Sequence, residues 1–372
     1  MEAELHSIFC AHGLASGTGT SKSMDRTDGE MTPGTVAART CLRTEARDLP
    51  NYDISVERAV LAPLGVEVVP VDVDDSDAFA RLAPTADAVL HMRGRLDAPR
   101  IAQLVRCRII AHYGTGLDRL DVAAATRRGI WVTNGPRYAV DEVSSHAIAL
   151  LLAVARKIVA ADRAVREGRW HIPPVAPLHR LAGRTLGLLG FGNIARATAR
   201  KGRALGLRPI ACDPYVDPAV FTAEGVEPVD FETCLARAHV LSVHLPLTDA
   251  TRGMLDRTAL ARLPYGAIVV NTSRGAVVDE PALVEALRTG RLAGAGLDVF
   301  AQEPLPTDHP LLGLPNVTVS GHIAFYSEEA IEQMQRDAAE QVAQALRGVV
   351  PEFLVNREVL GARQAQSPTE AT

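Results

Sequence analysis

One stretch constrains this chain more than any other: Thr185-Leu186-Gly187-Leu188-Leu189-Gly190-Phe191-Gly192-Asn193-Ile194-Ala195. Apolar residues suited to a short strand lead into a glycine-rich turn and then the opening of a helix. Asp213 follows 23 residues after Gly190, at the end of the next strand-like run. Strand, turn, helix and acid in that order predict a dinucleotide-binding βαβ unit. Gly190 permits the tight turn. Gly192 lets the backbone approach a diphosphate, and Ala195 is small enough for the helix to pack close to the strand. The helix start at Asn193 and Ile194 offers free N–H groups and the positive end of the helix dipole to that diphosphate. An acid at position 213 can hydrogen-bond ribose hydroxyls and repels a 2'-phosphate, which points to NAD and away from NADP. The competing account is an ordinary βαβ crossover whose glycines serve packing alone. Tyr113-Gly114-Thr115-Gly116-Leu117-Asp118 also contains Gly-x-Gly. There no small residue follows in place and no acid ends a following strand, so it predicts no second dinucleotide turn.

At 372 residues the chain is long enough for two domains with sizeable cores. Aromatic residues are scarce at 4%, and the abundant Ala, Val, Leu and Gly suit helices packed closely on parallel strands. A net charge of −5 argues against nucleic acid or an anionic membrane as the main partner. No apolar run reaches the length of a membrane span. Glu2 and Glu4 stand where a secretory signal would be basic, so the expected location is the cytoplasm. The five cysteines, Cys10, Cys41, Cys107, Cys212 and Cys234, are odd in number and widely spaced. They predict reduced structural thiols, with neither a disulfide framework nor a metal site.

Residues 1–35 are polar and lack apolar periodicity, which predicts a disordered leader, with Met31 nearer the natural beginning. From about Thr35 strand-like and helix-like runs alternate. Strands are expected over 36–44, 66–71, 88–91, 108–113 and 130–133. Helices are expected over 54–63, 77–82, 96–104 and 122–128. This alternation implies a parallel, doubly wound sheet. A long apolar helix is expected over 140–158, buried against a sheet or in a subunit interface. After Asp213, strands are expected over 240–244, 267–271, 294–299 and 317–320, and helices over 281–287 and 328–346. Residues 361–372 read as a loose polar tail.

In open α/β sheets ligands bind beyond the carboxyl ends of the strands. Arg274, Asp298, Glu303 and His322 each fall at or just past such an end. A hydride-transferring site needs a proton donor and acceptor near neutrality, and histidine supplies one. It needs a cation to polarise a carbonyl and hold a carboxylate, which suits arginine's fork. A carboxylate such as Glu303 would orient His322 and favour its charged form. Asp298 is placed to accept from a nicotinamide carboxamide. Each residue also has an inert account, as salt bridge, cap or solvated loop residue. His244, in Val243-His244-Leu245-Pro246, competes for the acid/base role but has no neighbouring arginine or carboxylate in the pattern; it is expected to be packed or part of a cofactor loop.

At these residues the chain resembles the D-isomer-specific 2-hydroxyacid dehydrogenases. The matching pieces are Gly190 to Ala195, Asp213-Pro214, Leu245-Pro246-Leu247-Thr248, Asn271-Thr272-Ser273-Arg274-Gly275, Gly294 to Phe300, Glu303-Pro304 and His322-Ile323-Ala324. The resemblance implies interconversion of a 2-keto acid and a D-2-hydroxy acid, with Arg274, Glu303 and His322 as the catalytic set. It implies NAD contacts at Gly190, Gly192, Asn193, Ile194, Asp213, Pro246, Thr248, Thr272 and Asp298. Substrate contacts are implied at His112, Gly114, Thr115 and Gly116. The implied fold is α/β, with two doubly wound parallel-sheet domains in a homodimer. A Rossmann dinucleotide domain at 134–322 is inserted in a flavodoxin-like substrate domain at 36–133 and 323–360.

The run His322 to Ala330, with Val350-Pro351-Glu352, resembles the C-terminal-binding-protein branch, whose animal members are NAD(H)-responsive corepressors. That resemblance keeps a second expectation open, an NAD(H)-sensing interaction module with weak or vestigial activity. Four positions depart from the pattern. Ala195 replaces the third glycine. Gly321 stands where proline usually precedes the histidine. His112 occupies a position that is usually arginine in the closest branch and helps receive the substrate carboxylate. Phe325 stands where the corepressors carry tryptophan.

Overall fold

The computed structural model describes residues 39–44, 53–171 and 175–364. The polar leader expected at 1–35, Cys10 and residues 365–372 lie outside them. Among the described residues twelve strands form two sheets, and every pairing is parallel. The first sheet contains β1 (Arg39–Thr44), β2 (Val66–Val71), β3 (Ala88–His91), β4 (Ile109–His112) and β5 (Trp131–Thr133), in the order β2-β1-β3-β4-β5. The second contains β6 (Thr185–Leu189), β7 (Arg208–Cys212), β8 (Glu227–Pro228), β9 (Val240–Val243), β10 (Ala267–Asn271), β11 (Leu292–Leu297) and β12 (Val317–Val319). Its order is β12-β11-β10-β9-β6-β7-β8. The first order is flavodoxin-like. The second is the Rossmann order with one added strand, reversing between β6 and β9. Strands covered on both faces are largely apolar, and β3, β4, β9 and β10 are buried at every position, with His91, His112, Ser242 and Asn271 as their polar residues.

Helix starts are set by short acidic side chains. Asp75, Asp97, Asp121, Asp230, Asp256 and Asp279 each accept a backbone N–H from the first turn that follows. The short helices Pro218–Glu224, Phe231–Arg237 and Arg257–Arg262, and the two-residue strand β8, have too few periods to stand out in the sequence.

The long apolar helix runs over Val140–Ala155 and stops short of the expected 158. Lys157 adopts the left-handed conformation, with φ of 51°, and a second helix, Ile158–Arg166, starts there in a new direction. No glycine or proline marks that break, so the apolar pattern ran through it. The first helix lies on β10, β11 and the fingerprint helix Asn193–Ala204, so the sheet buries it. Two glycines of β11 make the approach possible: a Cβ on Gly294 would sit 2.6 Å from Val154 Cγ1, and one on Gly296 would sit 2.8 Å from Leu150 Cβ.

The C-terminal helix Glu328–Leu346 returns to the first sheet. Its Ile331, Met334, Ala338 and Val342 share a core with Cys41, Leu61, Ile109 and Trp131. The chain therefore crosses between the two lobes twice, after β5 and after β12. The helix Val359–Gln364 takes up residues 361–364, which the sequence assigned to the loose tail. No single helix among the described residues is long and apolar enough to cross a membrane. Replacing Gly296 with valine is expected to lower stability by about 1–3 kcal/mol through overpacking against Leu150; urea unfolding with unchanged slope checks it.

Candidate active site

The carboxyl end of β6 shows whether the chain can hold a dinucleotide. Gly190 has φ of 86°, and a Cβ there would lie 2.7 Å from the His244 carbonyl oxygen. Only glycine meets both constraints. Gly192 has open space where a Cβ would be, and the helix that starts behind it has no side-chain cap. Its first N–H groups thus face outward, as a diphosphate requires. Ala195 is fully buried. The Asp213 carboxylate accepts from Phe191 N at 2.9 Å and Tyr215 N at 3.0 Å. A carboxylate has about four acceptor positions, so two stay open for ribose hydroxyls. Across the strand-order reversal, Thr251 Oγ1 donates to the Pro246 carbonyl at 2.6 Å and ties down the Pro246–Thr248 loop. At the end of β10 the Thr272 hydroxyl is buried without a hydrogen-bond partner among the described residues. An orphaned polar atom at that place fits a bound ligand.

The acid/base candidate sits on a tightly fixed loop. Asp298 is fully buried just past β11, and its side chain gathers the segment after β12. Its Oδ1 accepts from Ser320 Oγ at 2.6 Å and Ile323 N at 3.0 Å, and its Oδ2 accepts from Ala324 N at 3.0 Å. Its backbone carbonyl accepts from His322 N at 2.7 Å. His322 is thereby held at φ of 56°, a left-handed conformation unusual for a side chain without local compensation. Asp298 is first an anchor of this loop. His146, on the long helix, contacts Ser320 Oγ at 2.8 Å and extends the network.

His322 Nδ1 lies 2.8 Å from Glu303 Oε2, with the two side chains 37% and 24% exposed. A carboxylate oxygen only accepts, so Nδ1 carries a proton and Nε2 is the nitrogen free to act on another group. Glu303 Oε1 accepts from Phe300 N at 3.1 Å. Burial pushes the Glu303 carboxyl up, but the hydrogen bond and charge of His322, the Phe300 N–H and Arg119 outweigh it and hold the group below its ordinary value. The depressed value means that the contribution of this carboxylate to folding is present above the ordinary range and is lost as the pH falls through the depressed value.

Arg274 follows β10. Asn271, fully buried, shapes its turn by donating to the Arg274 carbonyl and accepting from Ser273 N. Arg274 Nε donates to Asp118 Oδ1 at 2.8 Å and Nη1 to the Ser273 carbonyl at 2.8 Å. Nη2 lies against Gly116, where a Cβ would collide with it. The Gly114–Gly116 loop after β4 therefore meets Arg274 from the other lobe. That loop is held by Thr115 Oγ1 donating to the Gly135 carbonyl at 2.7 Å and by Asn134 Nδ2 donating to the Thr115 carbonyl at 2.8 Å. The Gly-x-Gly that failed as a dinucleotide turn is this loop.

Ile194 of the fingerprint helix packs in one apolar cluster with Ala139, Val143, Ala324 and Phe325. Phe325 in turn meets the His322 ring edge-on at 6.4 Å. The fingerprint turn and the histidine loop are thus neighbours. His244 stands at the fingerprint turn itself, its backbone carbonyl against Gly190; its Nε2 contacts Ser242 Oγ at 2.9 Å, and burial pushes it down to about 4. It is half-buried, in the loop that leads to Pro246 and Thr248.

A family profile described as "D-isomer specific 2-hydroxyacid dehydrogenase, NAD binding domain" matches residues 148–324. A glyoxylate reductase of Korarchaeum cryptofilum is 41% identical over 305 residues, covering 81% of this chain and 89% of that protein. The chain belongs to the D-isomer-specific 2-hydroxyacid dehydrogenase family. A D-3-phosphoglycerate dehydrogenase of Mycobacterium tuberculosis is also 41% identical, over 311 residues, but the chain spans only 58% of that protein's length. Among solved structures, a glyoxylate reductase from Paecilomyes thermophila superposes with a TM-score of 0.78 at 28% identity, covering 87% of this chain and 99% of that one. The chain is accordingly an NAD-dependent dehydrogenase of this family, with two parallel-sheet α/β lobes.

Sequence reasoning on this dehydrogenase missed Asp118, His146 and Ser320. Asp118 lies two residues after Gly116 in a strand-end loop, a position that could have flagged it. His146 falls inside an apolar helix, where nothing local distinguishes it. Gly116→Ala is expected to push Arg274 off Asp118 and lower kcat/KM by about a hundredfold, with little change in the unfolding midpoint; steady-state kinetics alongside thermal unfolding check it.

Proposed function

We propose that this dehydrogenase reduces a small 2-keto acid to the D-2-hydroxy acid, or the reverse, with His322 as general acid and base. The observation that carries the reading is the Glu303–His322 contact at 2.8 Å on a loop fixed by Asp298. NADH, when bound, would supply the hydride for the carbonyl carbon. His322 Nε2 donates the proton that the forming alkoxide takes up. Glu303, kept anionic, stabilises the imidazolium before transfer. Arg274 Nη2, the guanidinium nitrogen not used by Asp118 or Ser273, takes the carboxylate and carbonyl oxygens. The backbone N–H groups of Gly114, Thr115 and Gly116 receive the carboxylate from the other side. Gly190, Gly192, Asn193 and Ile194 hold the diphosphate, Asp213 the adenosine ribose, and Pro246, Thr248, Thr272 and Asp298 the nicotinamide half. The lobe of 134–322 serves as the dinucleotide domain, and 36–133 with 323–360 as the substrate domain.

Glyoxylate is the first substrate to test, because several relatives are named for its reduction. Ile158, Val159 and Val165 are exposed at 56%, 46% and 49% on one helix, which supports a homodimer through that face, measurable by sedimentation. Reduction needs the imidazolium and oxidation the free imidazole, so the pH profiles of the two directions are expected to carry opposite limbs.

His322→Ala is expected to lower turnover by about 10²–10⁴-fold while leaving NADH affinity within about twofold, read by kinetics and by NADH fluorescence titration. Equal turnover by variant and wild type would remove His322 from the mechanism. Tight NADH binding without turnover across a panel of 2-keto acids would favour the NAD(H)-sensing module instead. Asp213 sets a second expectation: NADPH should bind at least about tenfold more weakly than NADH, since a 2'-phosphate would meet its carboxylate.

A further inference from the structure

His91 and His112 are the last residues of β3 and β4 and stand opposite each other in the parallel register. Their side chains lie on one face of the sheet, 0% and 8% exposed, with Nδ1 facing Nδ1 at 3.0 Å. His91 Nε2 lies 3.1 Å from the Gly94 carbonyl oxygen in the loop after β3. His112 Nε2 lies 3.1 Å from where a Cβ on Gly114 would be, beneath the loop that faces Arg274. The pair thus joins two strand-end loops at the candidate substrate site.

We propose that His91 and His112 form a neutral, tautomer-locked brace that positions the Gly114–Gly116 loop for the substrate carboxylate. The proposal rests on the 2-keto acid reading of the site. A carbonyl oxygen only accepts, so His91 carries its proton on Nε2 and offers a bare Nδ1. His112 must then donate from its own Nδ1, which leaves its Nε2 a lone pair beneath Gly114. Two neutral rings carry two protons, and this arrangement uses both.

The surroundings keep the rings uncharged. Burial, then the neighbouring His112 and Arg119, push His91 down to about 3 against the Gly94 carbonyl. Burial and Arg274 push His112 down to about 4, against the carbonyls of His91 and Gly116 and the charge of Asp118. The position expected to carry a guanidinium therefore presents no charge. Arg274 and the loop N–H groups are left to take the carboxylate, and the brace acts through the loop. His91 and His112 are positioning residues, whose loss is felt in substrate binding more than in the chemical step.

The first measurement needs no substrate: nitrogen-15 shifts of histidine-labelled wild-type protein, assigned with His91→Gln and His112→Gln. The expected result is an Nδ1–H tautomer for His112, an Nε2–H tautomer for His91, and no titration of either between pH 5.5 and 8.5. The opposite tautomer of either ring, or a titration in that window, would overturn the brace. The second measurement is kinetic, with glyoxylate and NADH. His91→Val removes both contacts of the His91 ring and is expected to raise KM for glyoxylate roughly five- to twentyfold, since a buried donor loses its acceptor. kcat and the Kd for NADH should stay within about twofold. His91→Gln places an acceptor and a donor on one terminal amide and should recover most of the loss. An unchanged KM in His91→Val, or an equal fall in kcat with no recovery in His91→Gln, would overturn the positioning role. If wild type turns over no 2-keto acid, the functional reading fails, and the nitrogen shifts still uphold or overturn the brace.

Discussion

The site depends on one buried carboxylate. Asp298 takes a hydroxyl and two backbone N–H groups on its side chain, and its carbonyl takes the N–H of His322. A carboxyl group out of contact with water is costly unless such donors surround it. Here the requirement is met by folding residues 320–324 around it, which forces His322 into a left-handed conformation and aims its ring at Glu303. The usual proline before the histidine is Gly321 in this chain, so the hydrogen bonds to Asp298 fix the loop where ring stiffness would otherwise help.

The second dependence is on two sheets meeting at their carboxyl ends. Arg274 comes from the seven-stranded sheet and Asp118 and Gly116 from the five-stranded one. Neither sheet alone provides a guanidinium with two nitrogens engaged and a third free. The chain achieves the meeting by crossing twice between lobes, and its C-terminal helix completes the core of the first sheet. The apolar cluster of Ile194, Val143, Ala324 and Phe325 sits at those crossings and brings the fingerprint turn beside the histidine loop.

Much of this was legible in the sequence because it is local. β3 and β10 and the helix Glu328–Leu346 have the bounds their periodicity predicts, and the turn of Gly190 and Gly192 has the open, uncapped helix start that its residue types require. Arg274, Glu303 and His322 could be picked out since each falls at a strand end carrying a chemistry-bearing side chain. Other features were hidden. The bend at Lys157 carries no glycine or proline signal. The short helices after β7 have too few turns for a pattern. Asp118 and His146 act through partners 156 and 174 residues away, Arg274 and Ser320.

By itself the sequence determined the parallel doubly wound class, the dinucleotide turn and the identity of the three polar residues, because apolar periodicity, glycine sterics and side-chain chemistry are properties of short segments. Tertiary structure alone decided which polar groups meet: that His322 pairs with Glu303, that Arg274 leans on Asp118 and Gly116, and that His112 faces His91. Those pairings arise between strand ends brought together by the sheet order, over separations at which local pattern carries no information, and burial then sets which of the groups remain charged.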